Sequence, residues 1–151
     1  MKSVLGSLAG LAVAAFATTA AVAQERGPHT NYILRCAGCH GLEGNGVPNA
    51  GIPAFPGFVG VFAGDEDGRT YLFHVPGVVG ASLSNAEIAA LMNYVMERWA
   101  GPSLPAAYVP FTEAEVAMRR AIAVPSVVDF RRAVVERLAA LGIVAADYPW
   151  P

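Results

Sequence analysis

Apolar positions recur at helical spacing in separate stretches of this chain, with glycine- and proline-rich tracts between them. Tyr32, Ile33 and Cys36 share one face of a helix starting near His29, and Gly41 stops it. From there to about Gly64 the chain carries Gly44, Gly46, Pro48, Gly51, Pro53, Pro56, Gly57 and Gly60, a density that predicts a long structured loop. Phe55, Phe58 and Phe62 could line whatever that loop wraps. Asp65-Glu66-Asp67-Gly68 reads as an acidic turn, followed by a helix from about Arg69 to His74 that ends at Pro76-Gly77. Ser84 and Glu87 form a capping box, after which Ile88, Leu91, Val95 and Trp99 make one apolar stripe closed by Gly101 and Pro102. Pro102, Pro105 and Pro110 then form a stiff connector. Thr112 with Glu115 predicts a helix to about Ala123, and Ser126 with Asp129 predicts another to about Leu141, ended by Gly142. No repeat or strand alternation appears. The expected fold is mostly α, with an appended C-terminal helical hairpin.

The first residues change how the rest is read. Lys2 supplies a positive start, Val4 to Phe16 an apolar core, and Ala21-Val22-Ala23 an A-x-A processing site. Residues 1–23 are therefore expected to be a signal peptide cleaved after Ala23, with an uncleaved anchor as the competing reading. The remainder divides into a domain over 24–100 and a helical extension over 101–151. Cleavage removes the sole lysine and leaves nine arginines against twelve acids, a net of about −3. That balance disfavours nucleic acid and anionic membranes as partners. The hydrophobic fraction of 54% is raised by the leader and by alanine, so stable membrane insertion after cleavage is not expected.

The chemistry is concentrated in Cys36-Ala37-Gly38-Cys39-His40, which contains the only two cysteines of the chain. C-x-x-C-H is the pattern of covalent haem attachment. The two thiols add across the porphyrin vinyl groups, and the histidine that follows can reach the iron as an axial ligand. The C-x-x-C part alone would also suit a thioredoxin-like redox pair or half a zinc site. The first needs a βαβ context and the second needs further thiols or a nearby histidine. An export signal ahead of the motif favours one covalent haem c, because that attachment takes place outside the cytoplasm.

Tyr32-x-x-x-Cys36-x-x-Cys39-His40-Gly41 with Gly44-x-Gly46, and the later Leu83-Ser84-x-x-Glu87-Ile88-x-x-Leu91-x-x-Tyr94, resemble the single-haem class I c-type cytochrome family. The resemblance covers residues 30 to 99. It implies a first and a last helix crossing near the haem edge, with Tyr32 close to Tyr94. It also implies a proline carbonyl that accepts the proton of the proximal histidine, for which Pro53 in Pro53-Ala54-Phe55 is the best match. Most members place a methionine ligand just before the Leu-Ser-x-x-Glu helix, yet no methionine lies between His40 and Ser84. His74 is the coordinating side chain in that stretch and the candidate second iron ligand. A methionine from elsewhere (Met92, Met96 or Met118) and an open iron are the alternatives. A helix-end histidine favoured by the dipole is the plain structural role. Arg69 could hydrogen-bond a haem propionate, as could any of the nine arginines, and the sequence does not choose among them.

The expected function is periplasmic electron transfer between redox partner proteins, among them a periplasmic dehydrogenase or a terminal oxidase. The chain reads more as a carrier than as an enzyme. One alternative is a cytochrome subunit of a dehydrogenase complex, with the extension as a docking element. Another is a catalytic, peroxidase-like haem protein with an open distal site.

Overall fold

Pro28 opens the first helix, α1 (Pro28–Arg35), at a position where its missing N–H is not needed and its fixed φ suits the turn. The computed structural model describes residues 26–150, so the expected signal peptide lies outside the described residues. Cys36 breaks α1 with φ −120°, and one further turn, α2 (Ala37–His40), ends at Gly41 with φ 72°. The loop that follows contains two 3-10 segments, Pro48–Ala50 and Val59–Gly64, and an isolated bridge between Val47 and Ile52. No strand forms among the described residues, and the fold is mostly helical.

Helix α3 (Glu66–His74) begins earlier than the apolar pattern suggests. Asp65 is its N-cap, accepting the Gly68 N–H at 2.8 Å, and Glu66 and Asp67 occupy its first turn. The acidic run is thus a helix start, where negative charge meets the positive end of the dipole. Pro76 both ends α3 and starts a short turn, α4 (Pro76–Val79). The capping box at Ser84 and Glu87 forms with both bonds in place, at 3.1 and 2.9 Å, and opens α5 (Asn85–Val95). The chain then widens into a π turn, Met96–Ala100, before Gly101 turns away with φ 50° and ψ −133°.

Two capped helices follow, α6 (Glu113–Arg120) under Thr112 and α7 (Val127–Ala140) under Ser126. Both pack on α3, and α6 also lies against α5. The buried core runs without interruption from Tyr32 through Leu91 to Val116, Val134 and Leu138. Residues after Gly101 therefore share the core of those before it. Polar ties reinforce the join. Asn93 accepts the Phe111 N–H and the Tyr108 hydroxyl and donates to the Phe111 carbonyl. Arg69 clasps Glu115 through two bonds of 2.6 Å, and Arg119 holds Glu115 at 2.7 Å and Glu66 at 2.8 Å. Arg137 bridges Asp65 and Asp67.

The Arg69 hydrogen bonds keep the Glu115 carboxyl below its ordinary range, against partial burial and with help from Arg119. A carboxylate depressed on folding adds stability above its unfolded value, about 4.3, and loses it as pH falls through the lower folded value. Glu115→Gln should destabilise the protein at pH 7 by roughly 2–3 kcal/mol, because it leaves two arginines without their shared partner. Denaturant titrations from pH 7 down to pH 3 should also show a shallower acid loss for the variant than for the parent.

Candidate cofactor site

Cys36, Cys39 and His40 come to one face because they stand three and four residues apart on a tight turn. The Cys39 and His40 N–H groups both bond the Cys36 carbonyl, at 3.1 and 2.9 Å. Both thiols are free, Cys36 half-buried and Cys39 exposed. Burial, aided by Cys39, pushes the Cys36 thiol up to about 11. That is the reverse of the lowered value an attacking thiolate needs, and it speaks against thioredoxin-like exchange. Among the described residues no group of three or more His, Cys, Asp or Glu converges on a metal-sized site.

The loop doubles back on the motif. Gly46 N–H bonds the His40 carbonyl at 2.9 Å, and Phe55 N–H bonds the Gly44 carbonyl at 2.8 Å. This return brings Pro53 and Phe55 to the His40 ring. Burial lowers the imidazole's proton affinity, and the Pro53 carbonyl, its only backbone hydrogen-bonding group, works the other way. Nδ1 of His40 is buried, with no hydrogen bond of ordinary geometry. The Pro53 carbonyl is near enough to favour a proton on the ring without closing that bond. A neutral imidazole with a carbonyl at its back is the form in which histidine ligates a metal. The Phe55 ring stacks on the imidazole, centroids 4.0 Å apart and planes 18° from parallel. Two thiols and one imidazole on a common face, with an orphaned ring nitrogen facing a carbonyl, fit a covalently attached haem. The thiols would form the thioethers, and His40 would hold the iron.

Aromatic packing fixes where this group sits. Tyr32 sends its hydroxyl to the Gly41 carbonyl at 2.6 Å, and burial drives that hydroxyl's pKa up to about 12. Its ring lies 6.1 Å from Tyr94, as the family resemblance implies, and 4.6 Å from Trp99. Trp99 in turn contacts Phe55 at 5.8 Å. The apolar stripe of α5 points to Trp99 as a core residue, but its place at the Phe55–His40 stack depends on the π turn, which has no local signal. Phe62 departs from the expected cofactor lining, facing Tyr71 at 5.0 Å in the core instead.

The other candidate residues make contacts of their own. His74 is half-buried at the end of α3, its Nδ1 2.8 Å from the Thr70 carbonyl and its Nε2 2.9 Å from the Ile122 carbonyl. Both ring nitrogens are engaged, and ligation through either would require one bond to be given up. The contacts seen here are those of the plain helix-end role, extended to tie α3 to the segment after α6. Arg69 is engaged by Glu115 and by the Ala63 and Val109 carbonyls. Met92 and Met96 are buried in the core, and Met118 is exposed.

A cytochrome c-552 of Thermus thermophilus is 33% identical to this chain over 105 residues, covering 58% of the chain and 79% of the relative. A second cytochrome c-552 of Thermus thermophilus, from strain ATCC 27634, matches at 33% over 105 residues, covering 58% of the chain and 70% of that protein. No protein-family model matches the chain.

The loop that presents Pro53 depends on Gly46. At φ 62°, a Cβ there would stand 2.3 Å from the Ile52 carbonyl oxygen and 2.7 Å from that of Pro53. Gly57 has a similar φ of 75° with nothing within 4 Å, so it reports backbone strain alone. Gly57→Ala should destabilise by about 1–2 kcal/mol, the ordinary strain of a side chain in that region. Gly46→Ala should lower the thermal midpoint clearly further. Equal midpoints for the two variants would show that the return loop tolerates displacement.

Proposed function

The chain belongs to the c-type cytochrome family, and on that premise we propose that it is a periplasmic electron carrier holding one haem c through Cys36, Cys39 and His40. The observation that carries this reading is the shared face of two thiols and an imidazole, closed behind by Pro53. When bound, haem supplies a one-electron iron couple. The protein's own residues do the rest. The thiols anchor the group, His40 holds its iron, and the Pro53 carbonyl sets the ring's tautomer and basicity. Exposed Cys39, with exposed Ile33, Leu34 and Leu42 nearby in the chain, gives an apolar surface at which a partner could approach.

Partners are proposed as redox proteins, a periplasmic dehydrogenase or terminal oxidase being the types that suit an exported carrier. The extension over 101–151, whose helices α6 and α7 each pack on α3, is read as a brace for the haem domain. Its arginines support that reading: Arg119 and Arg137 bind acids of α3 or its cap, Arg120 binds Asn85, and Arg131 is buried. Such an arrangement offers little basic docking face. The subunit alternative would use a different surface, and stable co-purification with a dehydrogenase would favour it. Export itself follows from the leader pattern ahead of the described residues.

Protein matured with a periplasmic haem-attachment system should retain one haem through acid–organic extraction, and Cys36→Ala/Cys39→Ala should release or lack it. The purified holoprotein should exchange electrons rapidly and reversibly with small mediators and turn over peroxide negligibly. Bound zinc without haem would overturn the assignment. Sustained peroxide turnover would move it to the catalytic alternative.

His74 is proposed as the residue that would join His40 in holding the iron, which would require its Ile122 bond to be given up. Bis-histidine ligation predicts a low-spin spectrum without a methionine charge-transfer band. His74→Ala should then give a high-spin or water-bound ferric form and new carbon monoxide binding in the ferrous form. An unchanged low-spin spectrum in that variant would leave His74 its helix-end role and point to a methionine. A wild-type spectrum that is already high-spin would mean an open iron.

A further inference from the structure

We propose that Trp99, delivered by the π turn at the end of α5, is a positioning residue for His40 and acts through Phe55. The inference rests on the reading of His40 as the iron ligand, and it assigns a role to residues outside the C-x-x-C-H motif.

Trp99 touches both arms of the site. On one side its ring meets Tyr32, whose hydroxyl holds the Gly41 carbonyl directly after the motif. On the other it meets Phe55, whose ring lies almost parallel to the imidazole. Its backbone joins in, because the Trp99 carbonyl accepts the Gly57 N–H at 2.8 Å and so pins the loop just past Phe55. Gly44 leaves the space these rings occupy. A Cβ on Gly44 would fall 3.1 Å from the Trp99 ring and 3.3 Å from the Phe55 ring. Trp99 is 7% exposed and Tyr32 1%, while Phe55 and His40 are half-buried.

The π turn gives the arrangement a purpose beyond filling space. An α-helix continued past Val95 would keep residue 99 in register with the Ile88–Leu91–Val95 stripe. The wider turn shifts that register, a device found most often at functional sites. Here it places the indole where it can press Phe55 against His40. An imidazole stacked on one face by Phe55 and faced by the Pro53 carbonyl has little freedom to rotate. Such outer contacts orient a metal ligand and tune its strength, and their loss typically weakens metal affinity about 10–100-fold.

The test uses the holoprotein and four substitutions: Trp99→Leu, Trp99→Phe, Phe55→Leu and, as a stability control, Val134→Ala in α7. Val134 is buried but belongs to none of the contacts around His40. The readouts are covalent haem after acid–organic extraction, the hyperfine shifts of the haem methyl protons in the ferric state, and the ferric–ferrous equilibrium. The shift pattern reports the plane of the axial imidazole and is not moved by stability alone. Trp99→Leu and Phe55→Leu should both change the pattern and move the equilibrium toward ferrous iron by about tenfold, as a weakened imidazole donor stabilises ferric iron less. Trp99→Phe should restore most of the wild-type pattern, and Val134→Ala should lower stability with the pattern unchanged. If one leucine variant fails to fold, the other reads the same contact from its other end. An unchanged pattern and equilibrium in a folded leucine variant would overturn the positioning role while leaving the carrier assignment intact. Wild-type protein without covalent haem would overturn the carrier assignment itself.

Discussion

Tyr32 lies across the end of α5 with its ring 4.6 Å from Trp99 and 6.1 Å from Tyr94, while its hydroxyl reaches forward to the Gly41 carbonyl. That crossing holds the cofactor turn in place. Each aromatic pair contributes about 1 kcal/mol beyond the burial of its surface, and burial supplies several kcal/mol more for side chains of this size. The same contacts set direction as well as stability. With α1 fixed on α5, Cys36, Cys39 and His40 can present only one face, and the loop from Gly44 to Gly57 must close against it. His29, stacked edge-on to Tyr94 at 5.8 Å, extends the aromatic crossing to the surface.

The C-terminal third depends on the same frame from the other side. Its buried apolar residues belong to the common core, and several of its charges, Glu115 and Arg119 among them, pair with α3. Glu115 between Arg69 and Arg119 illustrates the logic of a mostly buried ion group. Desolvation cancels much of the attraction, so the net stabilisation is modest, but removal of one partner is heavily penalised. The cluster therefore specifies how α6 sits on α3 more than it strengthens the fold. Arg131 follows a different rule. It is 2% exposed, and it donates one bond to the Ala146 carbonyl while Nε and Nη1 are buried without partners of ordinary geometry. The rings of Phe62, Tyr71, Tyr148 and Trp150 surround it at 4.8 to 6.0 Å. Their electron-rich faces provide the compensation that carboxylates provide elsewhere. Through this cation, and through Arg132 over the Trp150 ring, the C-terminal tail is held to the body of the protein.

An electron-transfer cytochrome works with small structural change between its oxidation states, so rigidity around the cofactor turn matters more than a pocket for substrate. The surroundings of His40 have that character. Its ring is stacked by Phe55, faced by the Pro53 carbonyl and backed by a loop whose N–H groups bond to Gly44, His40 and Trp99 carbonyls. Orienting the imidazole thus falls to groups from three separate segments of chain.

Local chemistry determined much of this protein by itself. Ser84 with Glu87, Thr112 with Glu115 and Ser126 with Asp129 each cap a helix at the residue their spacing indicates, because capping is a bond between near neighbours. C-x-x-C-H likewise carries its own geometry, since its three functional side chains are placed by a single turn. The acidic run at Asp65 was legible as a break but not as a helix start, because its apolar pattern begins only after the cap. Only the tertiary structure decided the contacts that reach across the chain. Phe55, Phe58 and Phe62 look alike as sequence, yet Phe55 stacks on His40 and Phe62 turns to Tyr71, a choice made by the loop's closure on α5. Arg69 became the partner of Glu115, and His74 met Ile122, through the packing of α6 on α3. The π turn at Trp99 belongs to the same class. Its register shift is sustained by the rings and N–H groups it meets far along the chain, and no short-range rule encodes partners at that separation.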